Sequence, residues 1–105
     1  MQDNFAAKLW VNNASMELNP FVEQILAGTI AGAISSLKGA ETIQTAELHV
    51  DHGDVKITVN KKELPLTPFP NDIIANTITG FVSSLKGVDR VESLRISLKA
   101  HRAKG

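Results

Sequence analysis

The chain repeats itself: residues 8–50 align with residues 56–98 without a gap, at an offset of 48 positions. Sixteen of the 43 aligned positions are identical, including the pentapeptide SSLKG at 35–39 and 83–87. Many of the differences keep the character of the side chain. We interpret this pattern as a tandem duplication of one supersecondary unit. The two repeats together predict a single domain over residues 1–105.

Each repeat predicts the order strand, turn, strand, helix, strand. Apolar and polar residues alternate over 55–59, which is typical of a half-buried strand, and two-residue turns are predicted at 12–13 and 60–61. Asn19-Pro20 and Thr67-Pro68 match an N-cap followed by proline at the first helical position. Because the apolar stripe of each helix ends at SSLKG, its glycine is predicted to form a left-handed C-terminal cap.

Two such units predict an α+β fold with six strands and two helices. If each helix carries the chain across the sheet, the second and third strands are parallel, as are the fifth and sixth. This connection predicts a barrel-like or two-sheet arrangement with an internal two-fold axis along the strands. One open antiparallel sheet, covered by both helices on one face, is the alternative.

Composition argues against several classes of function. The 11 basic and 11 acidic residues balance, so no net charge attracts the chain to nucleic acid or to an anionic membrane. The absence of cysteine excludes disulfides and thiolate sites, and it suits the reducing cytoplasm, where we expect this protein. The N-terminus lacks the pattern of a signal peptide. The apolar run at 21–37 contains Glu23 and Gln24, so we expect no membrane span.

The sequence contains no recognised catalytic or cofactor-binding motif, so we predict no catalytic residue and no cofactor. His49 and His52 with Asp51 and Asp54 supply possible metal ligands, but Asp-His-Gly-Asp is also typical of a solvated tight turn. We therefore predict no metal site. An enzyme that binds a small molecule in a cleft between the two repeats is one alternative function.

Strand residues that alternate with the predicted core form a candidate interaction face. One tryptophan among basic residues and hydroxyls has a weak similarity to single-stranded nucleic-acid platforms, so a nucleic-acid binder is the second alternative. With one Trp, no Tyr and no excess positive charge, contact with another subunit is the favoured interpretation. The face comprises Lys8, Trp10, His49, Lys56 and Arg95.

Three glycines border the predicted apolar stripes: Gly28 and Gly32 in the first helix and Gly80 in the second. Glycine inside a helix costs about 0.5–1 kcal/mol relative to alanine, so a packing role is expected. We predict close approach of the chain's two helices, with a partner subunit's helix as the alternative. Taken together, the sequence predicts a small binding or assembly module that forms a homo-oligomer, with no identified small-molecule ligand.

Overall fold

The computed structural model of the protein describes residues 4–37, 42–85, 87–88 and 90–101. These residues form an α+β structure in which the predicted order of elements is confirmed. The bounds are β1 Asn4–Val11, β2 Ala14–Met16, α1 Pro20–Ser35, β3 Thr45–Asp51, β4 Asp54–Val59, β5 Lys62–Leu64, α2 Pro68–Ser83 and β6 Ser93–His101.

The six strands form one open sheet in the order β2-β1-β6-β3-β4-β5, and all neighbouring strands are antiparallel. The favoured prediction of a barrel-like or two-sheet arrangement with parallel pairs is therefore wrong. The alternative of one open antiparallel sheet is confirmed. The difference arises because β3 pairs with β6 and β4 instead of returning beside β2, so that no parallel crossover forms within a repeat.

The strand register recurs at the same offset of 48 residues as the sequence. Leu9 pairs with Ile96 in β1 and β6, and Ile57 pairs with Leu48 in β4 and β3. Leu48 and Ile96 also pair with each other between β3 and β6. Because β1 and β4 run in opposite directions, the approximate two-fold axis is perpendicular to the sheet and passes between β3 and β6. The predicted axis along the strands is wrong.

The core lies between one face of the sheet and the inner faces of the helices, with α1 packed over β1 and α2 over β4. Of the predicted apolar stripes, Leu26, Ile30, Ile74 and Ile78 are confirmed as buried inner residues. The predicted Ala33 and Phe81 are only partly buried, and the next residue of each helix is buried instead. Burying each such aliphatic side chain contributes about 1.5–3 kcal/mol. The strands supply Ala7, Leu9, Val11, Ala46, Leu48, Val50, Val55, Ile57, Val59, Leu94, Ile96 and Leu98, and the helices supply Leu26, Ala27, Ile30, Ile34, Ile74, Ala75, Ile78 and Val82.

The predicted tight turns are present, and two of their asparagines also anchor a loop. Asn12 and Asn60 have φ of 50° and 51°, in the left-handed region that such turns require. Each side chain accepts two backbone N–H hydrogen bonds through Oδ1 and donates one to a carbonyl through Nδ2, at 2.7–3.1 Å. The residues bound are Arg90, Glu92 and Ser93 by Asn12, and Thr42, Gln44 and Thr45 by Asn60.

The helix ends agree with the sequence in part. Asn19 Oδ1 accepts a hydrogen bond from the Val22 N–H at 2.9 Å, which confirms this N-cap, whereas Thr67 makes no side-chain cap hydrogen bond. Gly87 has the predicted left-handed conformation, with φ of 88°, but it lies in the turn beyond the end of α2 and does not cap the helix. Gly39, its counterpart, lies outside the described residues.

The first turn of each helix also holds the neighbouring strand. Glu23 Oε2 accepts a hydrogen bond from the Ala7 N–H, and Asn71 Oδ1 accepts one from the Val55 N–H, both at 2.8 Å. The short strands β2 and β5 end before they reach these two N–H groups. The helices therefore complete the sheet edge where β2 and β5 leave it unpaired.

Candidate interaction surfaces

The five predicted interaction residues lie together on the face of the sheet that faces away from the helices, which we call the uncovered face. Trp10, Arg95, His49 and Lys56 are successive partners across β1, β6, β3 and β4 and form one row. Lys8 lies on the same face, two residues before Trp10 on β1. Since cross-strand neighbours are about 5 Å apart, the row extends for about 15 Å.

A cation–π contact joins Trp10 and Arg95 within this row. The Arg95 Cζ lies 3.9 Å from the Trp10 ring centroid, a contact that contributes about 0.5–1 kcal/mol at a partly exposed site. The guanidinium forms no ion pair with any described residue. It therefore covers one side of the indole and keeps its N–H groups available to a binding partner.

A depression of about 730 Å³ lies beside this row, where β1 and β3 end and β6 begins. Its histidines contact neighbouring carboxylates: His52 Nδ1 is 2.6 Å from Asp51 Oδ1, and His49 Nε2 is 3.3 Å from Glu47 Oε1. Within the described ranges, no three His, Asp or Glu side chains are placed to hold a metal ion. Both repeats contribute to the lining of the depression, which comprises Trp10, Asn12, Asn13, His49, Val50, Asp51, His52, Glu92, Ser93, Leu94 and Arg95.

The uncovered face is divided by charge along its midline, between β6 and β3. Basic side chains occupy the β1–β6 side, which we call the basic half. Carboxylates outnumber lysine on the β3–β4–β5 side, which we call the acidic half. The basic half contains Lys8, Arg95 and Lys99, and the acidic half contains Glu47, Asp51, Asp54 and Glu63 with Lys56.

This division separates equivalent positions of the two repeats. Glu47 corresponds to Arg95 at the offset of 48 residues, and Asp51 corresponds to Lys99. The approximate two-fold axis, which passes between Leu48 and Ile96, relates the two members of each pair, since the strand register is the same in both halves. At these equivalent positions the two repeats carry opposite charges on the uncovered face, whereas both repeats carry apolar residues at the core positions.

A second surface, on the outer side of the helices, exposes large apolar side chains. Phe21 and Phe69 are 73% and 74% exposed, and Ile25 and Ile73 are 41% and 48% exposed. We call these four residues the helix-face patch. These residues were not among the predicted interaction residues, although Phe and Ile recur at equivalent positions outside the inner stripe. The recurrence of apolar residues at these non-core positions could have indicated an exposed contact surface from the sequence alone.

The predicted packing glycines extend the helix-face patch. Gly28 and Gly32 follow Ile25 at helical spacing on α1, Gly80 follows Ile73 on α2, and all three glycines are exposed. A Cβ added to any of them meets no atom of the described residues within 4 Å. The expectation that they allow the chain's own helices to approach each other is therefore wrong. Their contact with a helix of a second subunit stays a prediction.

Comparison with protein-family models, with curated proteins and with solved structures finds no match for this chain. Within the part of the chain that the structure describes, neither helix combines the length and the apolar character needed to cross a bilayer. Proposals for function therefore rest on the uncovered face and the helix-face patch.

Proposed function

We propose that this protein is an assembly module that binds a second copy of itself through the outer faces of α1 and α2. The observation that carries this proposal is the exposure of Phe21, Ile25, Phe69 and Ile73 at equivalent positions of the two repeats. Phe21 and Ile25 are one helical turn apart on α1, as are Phe69 and Ile73 on α2, and removing each such side chain from water contributes about 1.5–3 kcal/mol.

The helix side of the molecule is large enough for a stable contact. Each helix has 16 residues and is therefore about 24 Å long. The two longer dimensions of the Cα trace are 42 and 32 Å. A standard interface buries about 800 Å² on each partner, which is less than the area that a face of these dimensions offers.

On the outer face of each helix, large residues lie toward the N-terminus and glycine lies toward the C-terminus, which suits antiparallel helix pairing. If α1 packs antiparallel to α1 of a second copy, Phe21 lies opposite Gly32 and Ile25 lies opposite Gly28. The same pairing of α2 places Phe69 opposite Gly80. Because glycine lacks a side chain, it lets a large side chain of the partner approach the helix backbone, which supports ridges-into-grooves packing.

The alternatives have weaker support. A single-stranded nucleic acid would meet the carboxylates of the acidic half, and Arg95 already covers one side of the Trp10 ring. The depression receives side chains from both repeats, but a small-molecule enzyme also needs a positioned nucleophile or acid–base pair with an orienting group. The lack of cysteine supports the cytoplasm as the proposed location.

We also propose that the chain arose by tandem duplication of residues 8–50 and 56–98. The ungapped alignment and the recurring strand register support this origin. The β4–β5 hairpin of the second repeat pairs with β3 of the first repeat. A single repeat on its own therefore has no strand for its hairpin to pair with. A fragment covering residues 54–105 should therefore fold only as a homodimer. A folded fragment whose monomeric mass is independent of concentration would contradict the shared core.

The test of assembly is the mass of the Phe21→Glu/Phe69→Glu variant in sedimentation velocity. At about 1 M salt, where the Debye length is about 3 Å, ionic contacts are screened while apolar contacts persist. The unmodified chain should sediment as an oligomer and the variant as a monomer of 11.3 kDa, with association weakened on the order of 100-fold.

A matched control adds two carboxylates away from the helix-face patch. Thr42→Glu/Gln44→Glu changes two exposed positions in the loop before β3 and should leave the mass of the oligomer unchanged. Assembly through the helices is contradicted if the unmodified chain is monomeric at every concentration. Retention of the oligomer by Phe21→Glu/Phe69→Glu would contradict it equally.

A further inference from the structure

We propose that the uncovered face of the sheet is a second interface, and that it binds another copy of this chain with basic half against acidic half. This contact is independent of the helix-face patch, which lies on the opposite side of the molecule. The division of charge on the uncovered face carries the proposal, because it makes this surface complementary to itself.

The position of the charges selects one way of stacking two sheets. A two-fold axis along the midline between β6 and β3 turns a second copy over and brings its acidic half onto the basic half of the first. A two-fold axis perpendicular to the strands would instead place like charges against each other. Because electrostatic complementarity determines register and orientation at interfaces, the axis along the strands is favoured.

The row that contains Lys8 shows this complementarity. Glu63, Thr58 and Glu47 are successive partners across β5, β4 and β3, and Lys8 occupies the matching row on β1. The midline axis places Lys8 opposite Thr58 of the second copy, with Glu47 and Glu63 of that copy on either side. The ammonium group therefore approaches two carboxylates, and the symmetry of the dimer provides the contact twice.

The central row provides a second charge contact. Arg95 and His49 are cross-strand partners on the two sides of the midline, so the axis places Arg95 opposite His49 of the second copy. Glu47 and Asp51 lie two residues before and after that histidine and share its face. The Arg95 guanidinium, which has no acidic partner among the described residues, would meet carboxylates there.

The same arrangement gives a reason for an aromatic residue on a polar face. Trp10 lies opposite Lys56 of the second copy, because the two occupy the same row at equal distances from the midline. An ammonium group near the indole adds a cation–π contact, and the ring itself loses contact with water. Thr58 occupies the equivalent position to Trp10 in the other repeat, so the fold itself does not require tryptophan here.

The test uses chains that carry Phe21→Glu/Phe69→Glu, so that assembly through the helices does not contribute. At about 0.1 M salt, where the Debye length is about 10 Å, sedimentation should show a homodimer. Reversing the basic half with Lys8→Glu/Arg95→Glu should weaken dimerisation on the order of 100-fold. Reversing the acidic half with Glu47→Lys/Glu63→Lys should have the same effect, and a mixture of both variants should form a heterodimer.

Controls separate this contact from general charge effects and from loss of folding. Glu17→Lys/Lys61→Glu reverses two exposed charges outside the uncovered face and should leave the homodimer intact. Circular dichroism melts should show that all variants fold, since the substituted side chains are exposed or half-buried.

Three results would overturn the proposal: a monomer before any charge is reversed, a homodimer that is insensitive to reversal, or no heterodimer in the mixture. A labelled single-stranded oligonucleotide tests the competing occupant. Binding of this probe at about 0.1 M salt that is lost in Lys8→Glu/Arg95→Glu would assign the uncovered face to nucleic acid and likewise overturn self-association through it.

Discussion

The two halves of this molecule are alike in the core and unlike on the uncovered face. Ile30 and Ile78 occupy the same place on α1 and α2, and each is 1% exposed. On the uncovered face, Glu47 of one half corresponds to Arg95 of the other, and Trp10 has no aromatic counterpart. The comparison separates side chains that the fold requires in both halves from side chains that only one half carries.

The physical reason lies in the register. Each half contributes the same hairpin and the same third strand to the sheet, so inner positions of both halves meet equivalent neighbours. Side chains on the uncovered face meet no covering element among the described residues, and they differ without cost to the core. The helix-face patch is apolar in both halves, although the core does not bury it, which is why we interpret it as a contact surface.

The largest effect is expected from a charge in the shared core. Ile30→Asp and Ile78→Asp each bury an unpaired carboxylate, so each should cost about 4 kcal/mol or more and prevent stable folding. Ile30→Val, the control, should cost only about 1 kcal/mol. Urea unfolding followed by circular dichroism measures both. If one aspartate variant melts cooperatively while the other is unfolded, the two halves do not have equivalent cores.

The asparagine anchors should show an equal, intermediate effect in both halves. Asn12→Gly and Asn60→Gly keep a residue that tolerates positive φ but remove the side-chain hydrogen bonds to the loop described above, so each should lower the free energy of unfolding by about 1–2 kcal/mol. Asn13→Gly, also at positive φ, is the control and should be close to neutral. Unequal losses at the two anchors would break the equivalence of the loops.

Local patterns in the sequence predicted the elements, the turns and the inner helix faces, because spacing and turn chemistry act over a few residues. The open antiparallel sheet was only the alternative prediction, since its order depends on which hairpin accepts β3 and β6. Nothing local in those strands distinguishes a return beside β2 from pairing with the other repeat. Long-range pairing is decided by the combined burial of all six strands.

The surfaces were predictable to different degrees. Alternation with Leu9 and Ile96 was enough to place Trp10 and Arg95 on one face. The division of charge needed the strand order, because basic and acidic residues only separate once β6 is known to pair with β1. The anchoring role of Asn12 could not be predicted from the sequence for the same reason, since its hydrogen-bond partners lie about 80 residues away in the chain.

A smaller effect is expected at the exposed helix glycines. Gly32→Ala and Gly80→Ala should each raise the free energy of unfolding of the dilute monomer by about 0.5–1 kcal/mol, since a Cβ there meets no atom within 4 Å in the part of the chain that the structure describes. The same changes should weaken assembly through the helices. Gly53→Ala, at φ of 85°, is the control and should destabilise the monomer. If Gly32→Ala or Gly80→Ala assembled more strongly than the unmodified chain, a close contact between helices of two copies at these glycines would be contradicted.

The smallest effect on folding is expected from Trp10→Thr, which makes one half resemble the other at this position. Loss of the Arg95 contact should cost about 0.5–1 kcal/mol of monomer stability. Association at low salt should weaken more clearly than the melting temperature falls. A large drop in melting temperature with unchanged association would instead make Trp10 a structural residue.

Sedimentation equilibrium of the unmodified chain tests self-assembly most directly. Over a dilution series from about 500 to about 1 μM, we expect masses at multiples of 11.3 kDa that decrease toward the monomer as the concentration falls. A mass of 11.3 kDa at every concentration, at both low and high salt, would contradict the account.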